Sequence, residues 1–278
     1  MIQHLLPRAC DCVARSRTRR ASRILPALAA LAALLGVPDA AAAPALGVTA
    51  PAVPGAAAHR VGPLFEGGLD DGHFCTASVV HSDYGDVIAT AAHCLDGLDS
   101  LEGALFAPGY RNGVAPFGLW RLTGRYLPPG WDEGEDEDED GNGAEGAEGK
   151  DPDADIAFAT VAPLGGAEGQ NVEDVVGGFR VAVRQPAHAT VTVLGYPSSR
   201  NVPLRCVNTT RLLSDTQRRI DCPALSGGTS GSPWLVDGAL AGVLGGHEDG
   251  GTDPDVSYSA VLGDQALELY REAAVSES

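Results

Sequence analysis

The sequence predicts an all-β protein built as two packed barrels and closed by one C-terminal helix. From residue 73 onward, short apolar or alternating segments such as "FCTASVV", "DVIATAAH", "GLWRLTGRYL", "DIAFATV", "FRVAVRQ", "ATVTVLGY" and "VSYSAVL" are separated by Gly, Pro, Asp and Asn. That is the pattern of strands between turns. Helical periodicity is nearly absent until Asp264, which is placed to N-cap a helix carrying Leu267, Tyr270 and Ala274 on one face. The length that remains after the N-terminal segments, about 215 residues, suits a single all-β unit of this kind.

The N-terminal segments are set apart by composition. Residues 1–23 carry Arg8, Arg15, Arg17, Arg19, Arg20 and Arg23, and the apolar run "ILPALAALAALLGV" precedes the small-residue stretch "PDAAAAPA". This is the order of a secretory signal peptide, read as residues 1–43. The apolar run has 14 residues, fewer than the roughly 20 that a membrane span needs. Residues 44–60, "PALGVTAPAVPGAAAHR", are too rich in Pro, Ala and Gly to supply a packed core and read as a linker or short propeptide. The domain proper then covers 61–278, and a secreted, extracellular location follows.

The chain holds 19 basic and 37 acidic side chains, a net charge of −18. Six Arg and two Asp lie in residues 1–43, which leaves 13 basic against 35 acidic. Such a surface repels nucleic acid, which is excluded as a partner. Twelve acids and Lys150 crowd into residues 132–153. That stretch cannot bury enough apolar area to offset its ordering entropy and reads as an acidic disordered insertion. Standing just before "DIAFATV", it would favour basic substrates or capture calcium if it overhung a site.

Cys10 and Cys12 leave with the signal, and Cys75, Cys94, Cys206 and Cys222 remain. An even number in an oxidising compartment suggests disulfides, with three pairings open. Without a Cys-x-x-Cys pair among them, zinc is not expected.

A hydroxyl becomes a nucleophile when a base takes its proton, and the base works best when a carboxylate fixes its tautomer. In "VIATAAHCLDG", His93 ends an apolar strand-like run beside Cys94. A bridge to Cys75 would pin the imidazole, with a closed loop worth roughly 3 kcal/mol. In "GGTSGSPW", Gly227, Gly228 and Gly231 allow positive φ around Ser230, and the N–H groups of Gly228 and Ser230 could converge on a developing oxyanion. Taken alone, the stretch also fits a glycine-rich hairpin.

Together, "TAAHC" (90–94) and "GTSGSPW" (228–234) resemble the two signature boxes of chymotrypsin-like (trypsin-like) serine peptidases. The second is closest to the secreted bacterial branch that includes glutamyl endopeptidases, whose serine box reads Gly-Asn-Ser-Gly-Ser-Pro. The resemblance runs from about Val61 to the final helix. It implies two six-stranded antiparallel barrels, with Ser230 as nucleophile, His93 as base and Asp155 of "DADIAFATV" as the orienting acid. It further implies Gly228 and Ser230 as the oxyanion hole, bridges Cys75–Cys94 and Cys206–Cys222, and neither cofactor nor metal. Asp151 and Asp153 are competing acids, expected to be solvated, and His73, His81, His188 and His247 are expected to be structural or exposed. The order His93, Asp155, Ser230 differs from that of an α/β-hydrolase, which puts serine first and histidine last.

Departures from the family pattern narrow the reading. Thr229 stands where the trypsin-type box has the Asp that docks a freed N-terminus, so cleavage after Arg60, which would free Val61, finds no such partner. Ala224 stands where trypsin-like enzymes carry their acid, six residues before the serine, so specificity for Arg or Lys at that pocket is not expected. The pocket is expected from Ala224, Leu225, Gly245, Gly246 and His247. The pocket histidine of glutamyl endopeptidases would fall near Leu244, three residues before His247. The implied function is that of a secreted, monomeric serine endopeptidase acting on protein or peptide, with no membrane partner after signal cleavage. The alternative is a catalytically inactive secreted homologue that serves as a binding module.

Overall fold

The computed structural model describes residues 45–98, 100–131, 150–165, 169–182 and 186–276. The expected signal peptide and residues 132–149 of the acidic insertion lie outside the described residues. The end of that insertion, expected to be disordered, is ordered as a short 3-10 turn over Pro152–Ala154.

Residues 45–60, expected as a linker or short propeptide, are built into the fold. Strand β1 (Val48–Pro51) runs antiparallel along Leu204–Val207, and the short helix α1 (Ala56–His59) follows. Gly47 N–H donates to Asp221 O at 2.8 Å and Ala52 N–H to Pro203 O at 2.8 Å. An edge strand is held by its peptide groups, not by an apolar face. Val48 is 80% exposed although its segment is paired, which is why composition gave no sign of the strand.

Six strands then close a barrel: β2 (Val61–Phe65), β3 (His73–Val79), β4 (Val87–Thr90), β5 (Leu105–Phe106), β6 (Trp120–Tyr126) and β7 (Ala157–Pro163), bonded in the order β2-β3-β4-β7-β6-β5. Val61, Leu64, Ile88, Phe106 and Phe158 are buried in its core. The β4–β7 register sets Thr90 opposite Ala157. Helix α2 (Ala92–Asp96) starts just past Thr90, and Asp155 lies just ahead of Ala157. One end of the barrel therefore brings His93 and Asp155 together, and the Cys75–Cys94 disulfide ties β3 to α2.

Helix α3 (Val172–Val176) leads to the crossing between the halves. The segment "FRVAVRQ", expected as a strand, makes only isolated bridges in its described residues, Val80 with Phe179 and Val181 with Leu240. The reason is that its peptide groups serve two sheets in turn. Phe179 bonds Val79 and His81 on one side, while Arg180 and Ala182 bond Leu240 on the other.

The second half comprises β8 (Thr190–Gly195), β9 (Leu204–Thr209), β10 (Arg211–Leu212), β11 (Gln217–Ile220), β12 (Pro233–Val236), β13 (Ala239–Val243) and β14 (Ser257–Ala260). A five-stranded sheet, β1-β9-β8-β12-β13, and a three-stranded one, β10-β11-β14, form it. Val191, Val193, Ile220 and Trp234 pack its core together with the Cys206–Cys222 disulfide. The expected all-β architecture is thus present: the first half closes as a six-stranded barrel, while the second, expected as another six-stranded barrel, pairs as these two sheets with β1 recruited as an extra edge.

Helix α4 (Asp264–Ala274) closes the chain. Asp264 is its first helical residue and not its cap; Gly263 holds the N-cap position, with no side-chain cap bond. A carboxylate in the first turn is still favoured by the helix dipole. Of the expected face, Leu267 and Ala274 are buried, and Tyr270 stacks on Phe158 at 5.6 Å while its hydroxyl donates to His81 O at 2.7 Å.

Truncation to Ala52 removes β1 and leaves the peptide groups of β9 facing water. A loss of about 2–3 kcal/mol in urea denaturation is expected, at roughly 1 kcal/mol for each hydrogen bond lost. An unchanged midpoint would mark the strand as dispensable.

Candidate active site

His93 and Asp155 are joined by two hydrogen bonds. The backbone N–H of His93 donates to Asp155 Oδ1 at 3.0 Å, and the ring Nδ1 lies 2.8 Å from Oδ2. A carboxylate only accepts, so Nδ1 carries the proton and Nε2 is left as the acceptor. The Gly246 N–H adds a third bond to Asp155, at 2.6 Å on Oδ2. Asp155 is fully buried and His93 is half-buried. Gly245 is required here for space: a Cβ on it would come within 2.6 Å of Asp155 Oδ2.

Ser230 is presented by a turn that presses against this wall. Gly228 and Gly231 sit at φ 90° and 80°, the left-handed region that favours glycine. A Cβ on Gly231 would strike Thr76 O and Thr90 Oγ1 and come within 3.1 Å of Ala91 N, two residues from His93. Thr76 fastens the turn: its N–H donates to Ser230 O at 2.8 Å and its hydroxyl to Gly228 O at 2.8 Å. Both carbonyls thus point at Thr76, and the N–H groups of Gly228 and Ser230 have no acceptor among the described residues. Ser230 is half-buried, and its Oγ has no hydrogen-bond partner among the described residues, His93 included. Ser232 is fully buried. Of the two serines in the box, only the first is accessible to a substrate.

The competing acids are placed elsewhere. Asp151 accepts the Asp153 N–H, and Asp153, expected to be solvated, accepts from Thr216 Oγ1 at 2.6 Å and Gln217 Nε2 at 2.8 Å. These bonds anchor the chain just ahead of Asp155 to β11. His73 lies near Arg200 O, with burial lowering its pKa against that hydrogen bond. His81 meets Glu173, and His188 lies near Thr210 O.

Of the residues expected at a specificity pocket, Gly245 and Gly246 pack on Asp155. Leu225 is buried in the second core, and Ala224 is exposed at φ 66°, with its N–H on Pro254 O at 2.9 Å. His247 stacks edge-on against Tyr258 at 4.8 Å. Sequence reasoning missed Thr76, Asp96, Trp131 and Asp249. Beside His93 opens a cleft of about 390 Å³ lined by Asp96, Trp131, Lys150, Gly246 and Asp249. Nothing local marks these residues, because the fold brings them in from three distant segments.

Burial works against a charged His93. The hydrogen bond and charge of Asp155, then the charges of Asp249 and Asp96, outweigh it and hold the imidazole above its ordinary pKa of 6.5. A raised folded pKa means that the cation adds stability fully below the unfolded value and loses it as pH rises through the folded one. His93, Asp155 and Asp249 also bring ligand-type atoms within 4.8 Å of one another. An ion there would compete with the bonds that Asp155 already accepts. In an NMR titration the His93 ring protons are expected to show a midpoint above pH 6.5 that falls in Asp249→Asn. A midpoint at or below 6.5 would contradict this electrostatic picture.

No protein-family model matches the chain, and no curated protein matches it in sequence. Solved structures do match. The protease Anisep from Arthrobacter nicotinovorans superposes with a TM-score of 0.64 at 25% identity, over 82% of this chain and 100% of that one. A thermostable serine protease, AL20, from an extremophilic microorganism gives 0.62 at 25% identity, over 80% and 100%. A Glu endopeptidase gives 0.60 at 16% identity, over 82% and 97%, which speaks for the fold alone. In fold the chain is thus similar to chymotrypsin-like serine proteases, two of which it matches over their whole lengths.

Proposed function

We propose that the chain is a secreted serine endopeptidase. Ser230 attacks the peptide carbonyl, and His93 Nε2 takes the hydroxyl proton and then passes it to the leaving amine. Asp155 holds the ring and stabilises its cation, and the Gly228 and Ser230 N–H groups receive the oxyanion. Water then releases the acyl-enzyme by the reverse proton path. The observation that carries this reading is the pairing of His93 with a buried Asp155 opposite an accessible Ser230, in a turn whose two N–H groups lack acceptors among the described residues. The open Ser230–His93 hydrogen bond is compatible with it, since such bonds often close only with substrate bound. Export is supported by the two disulfides, which persist in oxidising compartments.

The binding-module alternative has a fold-level parallel in a human heparin binding protein, at 12% identity. A net charge of −18 opposes any polyanion here.

A fluorophosphonate is expected to label Ser230 stoichiometrically. Replacement of His93 by Ala should slow labelling by about 10²–10⁴-fold, the usual weight of a general base. Because the raised His93 pKa protonates the base on acidification, the labelling rate should fall below a pH above 6.5. Absence of labelling in folded, correctly processed protein would favour the inactive homologue.

A further inference from the structure

The cleft beside His93 holds three charged side chains, Asp96, Lys150 and Asp249. Lys150 pairs with Asp96, which leaves the Asp249 carboxylate with no ion pair among the described residues. Trp131 and Lys150 flank residues 132–149 in sequence, and that stretch contains no Lys, Arg or His to neutralise it. Asp249 is exposed and held at φ 53°, a conformation that Asp and Asn tolerate better than most residues. Trp131 also lines the cleft; it is 3% exposed, and its indole N–H is buried without an acceptor among the described residues.

A ligand that answers the exposed Asp249 carboxylate brings a cation into the cleft. An extended peptide with a basic side chain does so. Resting on the peptidase reading above, we propose that this cleft selects a lysine or arginine side chain flanking the scissile bond, with Asp249 as its counter-charge. The selection is separate from the pocket for the cleaved residue, where Ala224 supplies no acid. Glutamate in the same position meets an uncompensated carboxylate and is rejected.

The test scans Arg, Gln and Glu through the positions flanking the cleaved bond of a peptide substrate and takes the Arg-to-Gln ratio of kcat/KM within each variant, so that changes in the chemical step cancel. The native protein is expected to show a ratio of about five at one flanking position, the scale of a partly exposed ion pair. Asp249→Asn, which keeps the backbone conformation, should bring it near one, while Glu248→Gln at the neighbouring carboxylate should leave it. A ratio near one in the native protein, or one that survives Asp249→Asn, overturns the proposal. In parallel, Ser230→Ala protein is titrated with fluorescein-labelled Arg and Gln peptides. Arg-selective binding that Asp249→Asn abolishes upholds the cleft even without turnover, so loss of turnover in the native protein would then count against the peptidase reading alone.

Discussion

Asp155 has almost no exposed surface, yet it carries a carboxylate, and burial of such a group is tolerated only when its oxygens are answered by donors. Three supply the answer: the His93 backbone N–H, the His93 ring and the Gly246 N–H. The first two fix the imidazole in position and tautomer. The third comes from the chain just beyond β13, so the same carboxylate also joins the two halves of the molecule. The β4–β7 register, the glycine at 245 and the Thr216 and Gln217 bonds to Asp153 all serve to place this one side chain.

The serine turn meets that anchor through backbone contact. A Cβ at Gly231 would force the turn away from Thr76, Thr90 and Ala91, so glycine is demanded by close approach as well as by its φ. Thr76 then decides which way the peptide groups face. By engaging the carbonyls of Gly228 and Ser230 it leaves their N–H groups without an acceptor among the described residues. The Cys75–Cys94 bridge reinforces the same region, linking the strand that carries Thr76 to the helix that carries His93.

Much of the site was legible because its chemistry is written in short local strings. The strings "TAAHC" and "GTSGSPW" mark the candidate residues by residue type and spacing, and most of the strands announced themselves by period and turn residues. What escaped reading depends on peptide groups or on long-range closure. Strand β1 exposes most of its side chains and is held by main-chain bonds. The segment after Gly178 alternates like a strand but divides its bonds between two sheets. Asp264 fits an N-cap by residue type, whereas Gly263 takes the position by backbone angle. Asp249, Trp131 and Thr76 acquire roles only after the two halves have met.

Acidity is concentrated around the same place. Asp96 and Asp249 add to Asp155 in raising the pKa of His93, so proton affinity at the ring is set by a field wider than the pair itself. The most direct test is nitrogen NMR of histidine-labelled protein at a pH above the His93 transition. The expected spectrum has the neutral His93 ring protonated at Nδ1 and bare at Nε2, with the Nδ1 preference lost in Asp155→Asn. A neutral ring protonated at Nε2, or one indifferent to Asp155, would contradict the claim that the buried carboxylate prepares this histidine as a base.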